Sequence, residues 1–138
     1  MCEKQIGFSL IELIAVLIIT SIIFIYIGDN LGQRGLELQT ARDDVVAGLF
    51  YTQQVAMARQ SATNPIQFVS DGVSTVDVQE NGASVTGDPY PLTLPVGFSL
   101  PAATLTYDKL GRTTGTALAL TGSGSSVVIT IESSGYAH

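Results

Sequence analysis

Tryptophan is absent from this 138-residue chain, which holds a single cysteine, Cys2, and a single histidine, His138. One cysteine excludes an intramolecular disulfide and any metal site built from cysteines. One histidine, at the C-terminal end of the sequence, excludes a Ser-His-Asp arrangement with a well-held base. His138 is expected to be disordered or on the rim. Basic residues are scarce. Lys4, Arg34, Arg42, Arg59, Lys109 and Arg112 are scattered against twelve acidic residues, for a net charge of −6. That balance argues against an electrostatic grip on nucleic acid, which needs clustered Lys and Arg. No Gly-x-Ser-x-Gly elbow and no Gly-x-x-x-x-Gly-Lys loop occurs. Asp43 and Asp44 are neighbours on an expected helix and point about 100° apart, so they do not form a carboxylate pair. Asp71, Asp77, Asp88 and Asp108 lack the spacing of a calcium loop. The glycine-rich Gly122–Ser126 lies between expected strands, where it reads as a hairpin loop and not as a phosphate cradle. The expectation is a chain with no catalytic residues, no metal and no cofactor: a structural or binding protein and not an enzyme.

What the chain does have is apolar surplus, and it is local. Hydrophobic residues make up 46% and mean hydropathy is +0.37. From Phe8 to Ile27 the only charge is Glu12. A run of roughly 20 apolar residues is long enough to span a bilayer. It exceeds the apolar stretch of a secretory signal, and no Ala-x-Ala-like site follows it. The sequence therefore predicts a transmembrane helix over 8–27. A carboxylate placed near the head of such a run costs roughly 2.5–3.5 kcal/mol on the lenient insertion scales, so Glu12 is expected to answer a partner charge.

Gly7-Phe8-Ser9-Leu10-Ile11-Glu12-Leu13 resembles the processing motif of type IV prepilins and pseudopilins. There a Gly-Phe junction is followed by a Glu at the head of a long apolar helix. The resemblance implies cleavage between Gly7 and Phe8 by prepilin peptidase and N-methylation of Phe8. Residues 1–7 would be a leader, and Cys2 would leave with it. It also implies that Glu12 neutralises the N-terminal amine of a neighbouring subunit. A charge pair is the tolerable way to keep two charges in an apolar core. The leader departs from the family's usual basic character, because Glu3 sits beside Lys4. Lys4 still provides positive charge on the side that faces the cytoplasm.

Gly28, Gly32 and Gly35 mark residues 28–35 as a soft segment, since glycine weakens a helix by roughly 1 kcal/mol relative to alanine. Gly28 and Gly32 match the small-xxx-small spacing of packed membrane helices, but Asp29 and Asn30 between them favour a softened helix. Leu36 to Ser61 reads as an amphipathic helix, with Leu38, Ala41, Val45, Leu49 and Ala56 on one face and Val46, Phe50 and Met57 on its shoulder. Asp43, Asp44 and Gln54 point away, and Asn64-Pro65 closes the helix. Beyond Pro65 the chain reads as strands and turns. Residues 66–70 and 73–79 flank Asp71-Gly72, a two-residue hairpin signal. Residues 80–91 read as a loop, 92–100 as a strand interrupted by Pro95, and Leu105-Thr106-Tyr107 as a strand leading into a charged turn. Ala117–Leu120 and Val127–Glu132 form a second hairpin, with Val127, Ile129 and Ile131 on its buried side.

Tyr107-Asp108-Lys109-Leu110-Gly111-Arg112 and the segment from Ile129 to Tyr136 resemble the closing strands of the minor pseudopilin H and FimT-like group. Within it, the minor pilins of mannose-sensitive haemagglutinin (MSHA) pili are the nearest in pattern. The expected fold is α+β: a long N-terminal helix, transmembrane half plus amphipathic half, packed on a small antiparallel β-sheet. The expected globular domain covers 36–138 and lies in the periplasm. The resemblance implies a structural subunit of a type IV pilus, held in the bacterial inner membrane before assembly. Its implied partners are the prepilin peptidase and methyltransferase, other pilins or pseudopilins, and the inner-membrane assembly platform. The alternatives are a type II secretion minor pseudopilin and, against the acidic balance, a DNA-binding minor pilin.

Overall fold

The computed structural model describes residues 10–31, 33–85, 89–122 and 124–138, with side chains described at 10–24 and from residue 35 onward. The chain divides into two compact units, Met1–Gly35 and Leu36–His138.

The first unit holds helix α1, Leu10–Leu31; helix α2, Gln33–Arg59, begins beyond it. This corrects the expectation of one long N-terminal helix. Among the described residues no helix is long and apolar enough to cross a membrane. The described side chains of α1 cover residues 10–24, short of the roughly 20 apolar residues that a span requires. Phe8 and Ser9, which open the expected run, lie outside the described residues.

In the second unit, α2 buries the face that its periodicity promised. Ala41, Val45, Leu49 and Ala56 are fully buried, and Leu38 and Val46 are partly so. Thr52 is buried on the same face, and its hydroxyl donates to the Gly48 carbonyl one turn back at 2.7 Å, so its polarity is met within the helix. Gly48 is the point of closest approach. A Cβ there would meet the Tyr90 hydroxyl at 3.1 Å and the Phe68 ring at 3.3 Å. Asp44, expected to face solvent, is instead half-buried. Its charge, after burial itself, helps raise the pKa of Tyr90, whose ring stacks on Tyr51 at 5.3 Å. The helix stops at Arg59, before Asn64-Pro65, and Ser61 and Asn64 pair across a tight turn.

The expected single sheet is two. Strands β1 (Ile66–Ser70), β2 (Thr75–Glu80), β3 (Ala83–Ser84), β4 (Leu92–Thr93) and β6 (Ala103–Tyr107) form one, in the order β3-β2-β1-β6 with β4 also on β2. Strands β5 (Phe98–Ser99), β7 (Thr116–Gly122) and β8 (Ser125–Ile131) form the other, in the order β5-β7-β8. The split falls at Pro95, which has no N–H to give a ladder. What reads as one interrupted strand over 92–100 becomes β4 in one sheet and β5 in the other. All pairings are antiparallel. In β8 the alternation holds, with Ile129 and Ile131 buried and Val128 and Thr130 exposed.

Two turns exchange their expected roles. Asp71-Gly72 does not make a two-residue hairpin, because the Asp71 carboxylate accepts the N–H groups of Val73 and Thr75 at 2.7 and 3.0 Å and widens the connection. Asn81-Gly82 instead joins β2 to β3, with φ of 52° and 80°. Those values are the pair of positive φ angles that a type I′ turn requires.

Three carboxylates in this unit are held below their usual range: Asp71 first by the Thr75 N–H, Asp108 first by the Arg112 N–H, and Glu80 first by the Asn64 amide. A depressed carboxylate contributes stability that is complete above its unfolded pKa and is lost as pH falls through its folded value. The thermal midpoint is therefore expected to hold steady above about pH 5 and to fall below about pH 4. Asp108→Asn should make that acid limb shallower in a melt series from pH 6 to pH 2.

Candidate assembly surface

Helix α1 is built from Leu, Ile, Val and Ala, with Thr20 and Ser21 as its hydroxyl residues. Those two hydroxyls donate to the carbonyls of Val16 and Leu17 one turn back, each at 2.7 Å. Their hydrogen bonds are met without water, which suits an apolar setting. Every described side chain of α1 is exposed within this chain, from 47% at Ile14 to 76% at Leu10. The exposure runs around the whole circumference: Ile11, Leu13, Val16, Leu17, Ile18, Ile19, Ile22, Ile23 and Phe24 share it. A helix apolar on all sides is stable when something apolar surrounds it. Small Ser21 leaves a groove of about 310 Å³ among Ile14, Leu17, Ile18 and Ile22. Its spacing of three and four is that of a groove into which another helix's ridge fits.

Glu12 lies in the first turn of α1 as described and is exposed, with no ion pair to it among the described residues. The expected cleavage site, Gly7 and Phe8, and the methylation position Phe8 lie outside the described residues. Of the expected soft positions, Gly28 falls within α1, Gly32 lies outside the described residues, and Gly35 falls within α2. A Cβ at Gly35 would meet nothing within 4 Å, so no close approach demands glycine there.

At one end of the second unit two turns are locked together. Asp108 Oδ1 accepts the N–H groups of Leu110 and Arg112 at 2.8 and 2.9 Å. Its Oδ2 takes the Arg112 guanidinium, with Nε and Nη2 both at 2.8 Å. The Gln53 amide of α2 donates to the carbonyls of Gly111, at 2.9 Å, and Ser134, at 3.2 Å. That clasp has no local sequence signature, since its partners lie far along the chain. His138 is held, not free. Its backbone exchanges hydrogen bonds with Thr130 at 2.9 and 3.0 Å, and its ring stacks on Tyr136 at 5.4 Å.

A shallow groove of about 500 Å³ beside these turns is lined by Gln60, Thr106, Tyr107, Asp108, Arg112 and Ser133, among others. It offers no nucleophile with a base, and the Asp108 carboxylate is already committed to its own turn. Among the described residues no three His, Cys, Asp or Glu side chains gather as metal ligands. Tyr107 is fully buried, and its hydroxyl finds no partner among the described residues. Burial pushes its pKa up to about 12. Tyr107→Phe is expected to keep or raise stability, by up to about 1 kcal/mol, because it removes an unsatisfied buried hydroxyl. The wild-type chain should also show one tyrosine ionising near pH 12 in an ultraviolet titration, and that late step should vanish in the variant.

No family model, no curated protein and no solved structure matches the chain.

Proposed function

We propose that this chain is a structural subunit of a type IV pilus or a related pseudopilus, a minor pilin of the MSHA-like kind. The observation that carries the reading is α1, whose apolar residues are exposed on every side in the isolated chain. Filament assembly supplies what such a helix needs: neighbouring helices that cover it all round. The motif Gly7 to Leu13 stands at the head of the same segment and supplies the chemistry of entry into the filament. In this reading the peptidase frees the amine of Phe8, methylates it, and Glu12 of an adjoining subunit answers its charge. Before assembly the subunit resides at a bacterial inner membrane with its sheet unit in the periplasm. The two sheets and α2 form a head that faces outward from the filament core.

Intact-mass and N-terminal analysis of the mature protein from its host tests this directly. The expected product begins at N-methylated Phe8. A mature protein beginning at Met1, or beyond Ile27, would sink the proposal.

A further inference from the structure

Outside α1, the exposed large apolar side chains of the second unit gather at its two ends. The register of β1 against β6 defines those ends: Ile66 pairs with Tyr107, and Ser70 pairs with Ala103. Beyond Tyr107 comes the turn that carries Leu110, 68% exposed, packed beside the turn that carries Tyr136, 52% exposed. Beyond Ser70 comes Val73, 63% exposed, whose carbonyl accepts the Leu100 N–H at 3.1 Å. The 93–99 segment closes over it to leave a groove of about 480 Å³, with Val96 wholly exposed at its rim. One end presents an apolar knob, and the other presents an apolar groove.

The charges at the two ends are complementary. Lys109 precedes Leu110 and is exposed, with no ion pair among the described residues, while Asp108 and Arg112 neutralise each other. Asp71 lies two residues before Val73 and is exposed, and no residue lining the groove is charged. A knob flanked by a cation thus faces a neutral groove flanked by an anion, an arrangement that sets orientation on approach.

We infer that the occupant of the Val73–Val96 groove is the Leu110 turn of a second copy of this chain, with Lys109 brought towards Asp71. Two different patches on one molecule make a head-to-tail contact. Such a contact propagates instead of closing into a dimer. The inference rests on the filament reading and deepens it. It assigns the chain to consecutive positions along the filament, not to one solitary position.

The test is cross-linking of the full chain in its host, in a Cys2→Ser background, with Val96→Cys and Leu110→Cys combined and a short bismaleimide as the probe. Both positions are exposed, so the substitutions leave the core alone. The double variant is expected to give a ladder of trimers and longer species, while each single variant stops at dimers. Adding Lys109→Glu should lower the ladder yield by about tenfold, and an unchanged yield overturns the charge argument. A double variant found in sheared filaments without any ladder overturns the inference and leaves the filament reading standing. Absence from both filaments and ladder overturns the two together.

Discussion

Glu12→Ala is expected to lower recovery of the chain in sheared filaments by about a hundredfold or more, while the sheet unit folds as before. The magnitude follows from the proposed pairing. Removing one member of a buried ion pair costs about 3–5 kcal/mol, because the other charge stays buried and unanswered. Each 1.4 kcal/mol is about a factor of ten in an equilibrium. The sparing of the fold has a structural reason. Glu12 is exposed in a unit separate from the one that holds the core, so no core contact is lost. Glu12→Gln keeps the shape and loses the charge, and it should fall nearly as far. The measurement is immunoblotting of sheared and cell-bound fractions, with a thermal melt as the control on folding. Recovery equal to wild type would sink the pairing.

Gly135→Ala should be the most damaging single-methyl addition in the sheet unit, at about 3 kcal/mol. Two effects combine. Gly135 takes φ of 86°, a left-handed conformation that costs an L-residue with a side chain roughly 1–2 kcal/mol. In addition, its Cβ would collide with the Gly111 carbonyl oxygen, the same oxygen that the Gln53 amide grips. Either the two turns part or the Gln53 clasp opens. For a domain of this size the thermal midpoint should drop by about 10 °C or more. Gly82→Ala supplies the comparison, since Gly82 has φ of 80° with open space around it. It should lose about 1–2 kcal/mol, the strain alone. Equal losses at the two positions would show that the abutment of the turns contributes nothing.

The sheet unit was legible wherever a local rule had no competitor. The buried face of α2 and the alternation of β8 follow from periodicities of 3.6 and 2, which act through neighbours in sequence. Turn chemistry was legible only in part. Asp71-Gly72 and Asn81-Gly82 carry the same kind of signal, and the choice between them was made by the Asp71 carboxylate reaching Val73 and Thr75. Pro95 announced an interruption but not its consequence, because whether a broken strand stays in one sheet depends on which ladder each half finds.

By itself, the sequence determined the apolar character of residues 8–27, the placing of Glu12 within them, the helical face of Leu38 to Ala56 and the lack of any catalytic set. Each is a property of residue type and spacing. The tertiary structure decided that α1 and α2 are separate helices, that eight strands divide between two sheets, and that Gln53 clasps two turns at the far end of the chain. It also decided that Leu110 and Val96 stand exposed at opposite ends of one unit. These depend on contacts between residues remote in sequence, where many partners satisfy the same local preference and packing selects among them.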